Sequence, residues 1–249
     1  MATITTFYGL YLPSLGDGAG NGQIWATQVN NNFTVIDTTM NGLVTKVDPR
    51  TTGTFQHGTA PNYFELEADG TPVLHGDATV WNDINISLVP PQGGGAAPAI
   101  IAFNGDANLD CYAFKGTGAG TDEIHSSFEV LHDYLEGSDL HYHIHWYPTT
   151  AAVGDVKWTL RYAWFNRGTV PGAATSVSEV STTPGVAWRE QTTSFTISGI
   201  GKTMGSRFVF SISRSPADPQ DTYAAYVAVT DTGAHYEKDG LGSRQMLVK

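Results

Sequence analysis

From about residue 76 onward the chain is a series of short segments in which apolar and polar residues alternate, and none sustains a helical period. In order they are TVWNDINISL, AIIAFN, CYAFKG, EIHSSFEVL, DLHYHIHWYP, VKWTLRYAWFNRG, REQTTSFTISGI, SRFVFSISRS and DTYAAYVAVTDTGAHYEKDG. The clearest is VKWTLRYAWF. Val156, Trp158, Leu160, Tyr162 and Trp164 take one face while Lys157, Thr159, Arg161 and Ala163 take the other, as in a half-buried antiparallel strand. Strands of this kind separated by turn residues, with 28 glycines and only 15% charged residues, predict a mainly β fold: an antiparallel, jelly-roll-like β-sandwich over 76–249.

The preceding residues have a different texture. Residues 1–24 are rich in Gly, Thr and aromatics and read as an extended arm. Then Val29, Phe33, Ile36, Met40, Leu43 and Val47 fall at alternating steps of four and three, a heptad seam with Trp25 one step of four earlier. The positions between are mostly Asn, Thr and Asp, so this short helix would be marginal alone. Its seam needs a partner, either symmetry mates or the body of the protein, and an ordinary surface helix remains the plain alternative. Asp48-Pro49 ends it. The expected organisation is an arm and short helix over 1–48, a linker or short β-segment over 49–75 with an Asp-Gly turn in ADGT, and the sandwich over 76–249.

Composition excludes several classes. Cys111 is the single cysteine, so no intrachain disulfide or Cys-rich zinc site can form. The start, MATITTFYGLYLPSL, lacks the pattern of a signal peptide, and no run of about 18 apolar residues predicts a membrane span. With 24 acidic against 13 basic side chains, the net charge of -11 repels phosphate backbones, so no nucleic-acid partner is expected.

His141, His143 and His145 alternate along DLHYHIHWYP and therefore share one strand face, opposite Tyr142, Ile144 and Trp146. Two imidazoles at i and i+2 can converge on one metal ion. The spacing from Gly137 to His143 and His145 matches the first half of the cupin metalloenzyme pattern, but PTTAAV supplies no Glu after His145. No GxSxG, P-loop or GxGxxG in strand-to-helix context is present, so no enzyme activity is expected. The row could instead face a threefold axis, holding a structural metal ion or none. It could also lie on a solvated sheet face beside Asp133 and Asp139.

Three stretches together resemble structural proteins of tailed bacteriophages, of the trimeric short tail fibre, head fibre or capsid-decoration kind. LYLPSLGDGAGNGQIWATQVNNNFTVIDTTMNGL is similar to an amino-terminal attachment segment, matched at Leu12, Pro13, Trp25, Asn30, Asn32, Phe33, Ile36 and Asp37. YLEGSDLHYHIHWYP and HYEKDGLGSRQMLVK resemble a histidine-rich strand and a closing segment of phage β-sandwich domains.

The resemblance implies a homotrimer assembled into a virion in the host cytoplasm, docked to capsid, neck or tail proteins by residues 1–48. Phe7, Tyr8, Tyr11 and Trp25 would anchor the arm, and Val29, Phe33, Ile36, Met40 and Leu43 would associate the helices. His141, His143 and His145 would face the axis. A second expectation is a glycan or receptor-binding module for host adsorption, with Trp81 and Trp188 as the tryptophans freest to stack on a sugar. A cupin-like metalloenzyme is the third.

Overall fold

Alternation becomes architecture through the strands of a computed structural model, which describes residues 54–90, 96–243 and 245–246 together with the backbone of Thr3–Ile4 and Tyr11–Leu12. The chain divides into two units, Met1–Gly58 with Glu65–Pro72, and Thr59–Phe64 with Val73–Lys249. In the first, β1 (Thr3–Ile4) pairs antiparallel with β2 (Tyr11–Leu12). Its ADGT turn closes through the amide of Gly70 donating to the Glu67 carbonyl at 2.8 Å, with Gly70 at φ 87°. The heptad segment, Trp25 and the anchors Phe7 and Tyr8 lie outside the described residues, as does the side chain of Tyr11.

The stretch expected as a linker or short β-segment carries β3 (Phe55–Thr59), β4 (Asn62–Leu66) and β5 (Pro72–His75). Beyond it run β6 (Val80–Ile86), β7 (Ala99–Phe103), β8 (Asp106–Phe114), β9 (Asp122–Glu129), β10 (Leu140–Pro148), β11 (Asp155–Phe165), β12 (Thr175–Thr182), β13 (Gln191–Ile197), β14 (Arg207–Arg214) and β15 (Val227–Lys238). One sheet has the order β13-β10-β15-β8-β7, with β6 also on β15, and the other the order β12-β11-β14-β9. Every named pairing in these two sheets is antiparallel. The second unit is an antiparallel β-sandwich.

Side-chain parity selects the core. On β10 Leu140, Tyr142, Ile144 and Trp146 are buried, and on β11 Val156, Trp158, Leu160 and Trp164 meet them together with Phe208, Phe210 and Ile212 of β14. The two sheets join through edge-on ring pairs, Tyr142 with Phe210 at 4.9 Å and Phe114 with Trp158 at 5.0 Å. Burying each such side chain contributes roughly 1.5–3 kcal/mol. The indole Nε1 of Trp146 donates to Thr193 Oγ1 at 2.9 Å, so its one polar atom is satisfied inside the core.

Because even-numbered residues of β10 fill this core, the odd-numbered ones must stand on the outer face of the first sheet. That face carries the site.

Candidate functional site

Strand register assembles the outer face from four strands. His141 pairs with His235 and His143 with Gly233 across β10 and β15. His235 in turn pairs with Asp83, and Glu237 with Trp81, across β15 and β6. On the other side of β10, Thr196, Ser194 and Thr192 of β13 stand opposite His141, His143 and His145. The result is a row of hydroxyls, imidazoles, a carboxylate and an indole on one surface.

The three histidines of β10 do share a face, but at different depths. His141 and His145 are half-buried, whereas His143 retains only 4% exposure. Its ring meets those of His145 at 4.8 Å and His235 at 4.5 Å, both near-perpendicular. It lies over Gly233, where a Cβ would come within 2.7 Å of His143 Nε2. Burial lowers the His143 pKa, the His235 and His145 imidazoles lower it further, and the nearby Asp83 carboxylate opposes them. The ring is thereby favoured in its neutral form.

The acids around this row are not those expected from chain proximity. Asp133 accepts a hydrogen bond from the Tyr236 hydroxyl at 2.8 Å, and Asp139 accepts from the Gly199 amide at 3.1 Å. Asp83 and Glu190 face the histidines instead: Asp83 Oδ2 lies 3.6 Å from His235 Nε2 and 3.9 Å from His143 Nε2. His145 Nδ1 contacts Glu190 Oε1 at 2.9 Å. The metal-competent trio is Asp83, His143 and His235, whose ligand atoms all lie within 4.8 Å of one another. His143 and His235 also line a groove of about 310 Å³, together with His141, His145, Thr192 and Ser194. Sequence reasoning missed Asp83 and His235, which come from strands remote in the chain.

A second groove, of about 610 Å³, opens at the β6 edge. Trp81 forms one wall and is 54% exposed, while His75, Asp77, Thr79, Glu237 and Asp239 supply polar atoms. Asn62 Nδ2 donates to Asp77 Oδ2 at 3.0 Å and so orients that carboxylate, while Thr79 Oγ1, which donates to the Gly76 carbonyl at 3.0 Å, stands 3.2 Å from Glu237 Oε2. The Trp81 indole also meets the His141 ring edge-on at 5.1 Å, which places it on the border of the two grooves.

Trp188 has a different setting. Its backbone adopts φ 60°, a conformation rare for a bulky residue, and its amide donates to the Pro148 carbonyl at 2.7 Å. The half-buried ring packs edge-on against Phe103 at 5.3 Å, and Phe103 packs against Tyr147 at 5.0 Å. Trp188 is an element of an aromatic cluster, while Trp81 offers the open face.

No family model matches the chain, and no curated protein matches it. Among solved structures, the family 35 carbohydrate-binding module from Cellvibrio japonicus Abf62 is similar at 12% identity, over 65% of this chain and 100% of that one, with a TM-score of 0.32. The carbohydrate-binding module TmCBM61 in complex with β-1,4-galactotriose is similar at 12% identity, over 64% and 88% of the two chains, with a TM-score of 0.31. The enzymatically active domain of tailspike protein 4 from bacteriophage CBA120 is similar at 8% identity, over 65% of this chain and 19% of that one, with a TM-score of 0.31. At this level of likeness the chain's own side chains must decide its function.

Proposed function

We propose that the protein is a non-catalytic glycan-binding β-sandwich module whose ligand lies along the Trp81 groove. The observation that carries this reading is an indole left 54% exposed at the wall of a groove lined by carboxylates, Asp77 among them held in place by Asn62, and a hydroxyl. A sugar ring offers a flat C–H face and a rim of hydroxyls, so it can stack on the indole while donating to Asp77 and Glu237. Carboxylates accept and do not donate, and the chain carries a net charge of -11. The ligand is therefore a neutral glycan rather than an acidic one. The groove volume falls in the range of small-ligand pockets, roughly 300–1,000 Å³.

Full-length protein on an array of neutral and acidic oligosaccharides tests this. Binding confined to neutral glycans, weakened at least tenfold by Trp81→Ala with unchanged circular dichroism, supports the reading. No binding, or Trp81→Ala equal to the parent, overturns it.

The same reading sets the module on a virion as a homotrimer attached through residues 1–48, as the amino-terminal resemblance implies. Three modules on one particle would make individually weak glycan contacts persistent. The solution mass by light scattering checks this part: a trimer supports it, and a monomer removes it while leaving the glycan site standing.

A further inference from the structure

We propose that Asp83, His143 and His235 form a binding site for one divalent transition-metal ion per chain, of the zinc type. This is separate from the glycan reading and draws on different residues. The three side chains come from adjacent strands β6, β10 and β15, and antiparallel register alone brings them together.

Geometry gives the first argument. Asp83 Oδ2 faces the Nε2 atoms of both His235 and His143, at 3.6 and 3.9 Å. Both separations are too long for hydrogen bonds, so the carboxylate closes on neither ring by sharing a proton. A tetrahedral ion held at about 2.0–2.1 Å from each ligand would need donor atoms roughly 3.3 Å apart. Contraction by a few tenths of an ångström suffices for these two pairs. Asp83 and His235 are both about half exposed, at 51% and 50%, and are free to make that adjustment.

Confinement gives the second. His143 is packed between the His145 and His235 rings and over the space left by Gly233, so one ligand is already fixed in orientation. Fixing it beforehand reduces the entropy lost on binding. Donor chemistry gives the third. Two imidazole nitrogens with one carboxylate favour zinc, nickel, cobalt or iron(II) over calcium and magnesium, which take oxygen ligands. His143 and His235 also line a groove with His141, His145, Thr192 and Ser194, which leaves room for water or a ligand hydroxyl to complete the shell.

The test is calorimetric titration of chelator-stripped full-length protein with zinc chloride alone, with no glycan present. One ion per chain is expected, weakened at least tenfold in Asp83→Asn and in His235→Ala and changed less than threefold in His132→Ala, whose ring contacts Ser243 and Glu129 instead. The two ligand substitutions fall at exposed positions and leave the core intact; a zinc-dependent rise in the melting temperature that both variants lose confirms the assignment. No saturable binding, binding indifferent to Asp83→Asn and His235→Ala, or one ion per three chains would each overturn it, the last returning the histidine row to a symmetry axis.

Discussion

Gly233 lies directly opposite His143 in the pairing of β10 with β15, and the room left by its missing Cβ is occupied by the imidazole. An added Cβ would stand 2.7 Å from Nε2, 2.8 Å from Cε1 and 2.9 Å from Asp83 Oδ1. Asp83 can move away, but His143 is held by two neighbouring rings. Gly233→Ala is therefore expected to cost about 1–3 kcal/mol through overpacking. Urea unfolding measures the loss, and in a double-mutant cycle His143→Ser should restore most of it. Additive costs would show that the imidazole does not occupy that space.

The ion pair of Arg214 with Asp221 fastens the end of β14. Both side chains are fully buried, and the guanidinium donates to the carboxylate through Nε at 2.8 Å and Nη2 at 2.7 Å. It also donates to the carbonyls of Phe114, Ala225 and Tyr223. Arg214→Met leaves a buried carboxylate unpaired and should cost roughly 3–5 kcal/mol. The double variant Arg214→Met with Asp221→Leu should recover only part of this in denaturant unfolding, because the three carbonyls and the Lys157 amide lose their partner as well.

Much of this sandwich is legible in the sequence because a strand buried on one side writes its orientation into every second residue. VKWTLRYAWF names its own inner face, and DLHYHIHWYP shows that its histidines stand opposite its aromatics. Parity gives the face of a residue but not its depth, so His143 could not be told from His141 and His145. Partners across a sheet depend on register between segments far apart in the chain. Asp83 precedes the histidine row by some sixty residues and His235 follows it by about ninety, so a motif search forward of His145 for an acid could not find them. A faint signal exists in TGAHYEK, where Gly233 and His235 share a face, and in VWNDIN, where Trp81 and Asp83 do. The turn residues beside Trp188 suggest a free indole, and its edge-on contact with Phe103 is a tertiary feature that the sequence does not carry.

Alkaline pH should unfold the protein by a route that Tyr134 makes visible. Burial pushes this phenol from the usual 10 to about 12, and its hydroxyl donates to the Ser138 carbonyl, a bond that only the un-ionised form can make. A pKa raised on folding means that the un-ionised phenol is fully stabilising below pH 10, and that this stability is lost as pH rises from 10 towards 12. Two pH units correspond to about 2–3 kcal/mol. Tyrosinate absorbance followed against pH should show a late-ionising group that coincides with loss of near-ultraviolet dichroism. Tyr134→Phe should lower stability at neutral pH by about 1 kcal/mol and make its decline above pH 10 shallower. Ionisation of all tyrosines near 10 without unfolding would contradict this.

Gly199 differs from Gly233 in what surrounds it, and the difference predicts a ranking. A Cβ at Gly199 would run into the Ser138 carbonyl and lie 2.5 Å from the hydroxyl of the buried Tyr134, so the main obstacle is backbone rather than the movable end of a side chain. The Gly199 amide donates to Asp139 at 3.1 Å and its carbonyl accepts from the Lys202 amide at 2.8 Å. Neither strand end can retreat without breaking these bonds. The contact joins the approach to β10 with the exit of β13, the two strands whose pairing sets Thr192, Ser194 and Thr196 against the histidines. Gly199→Ala should therefore be more destabilising than Gly233→Ala, beyond about 3 kcal/mol, and should disturb both faces of the site. Gly172→Ala, where a Cβ meets nothing within 4 Å, is the matched control and should lie within about 0.5 kcal/mol of the parent. Melting temperatures of the three variants give the order directly. If Gly199→Ala melted with the control, the close approach of Ser138 to Gly199 could not be what holds β10 and β13 in register.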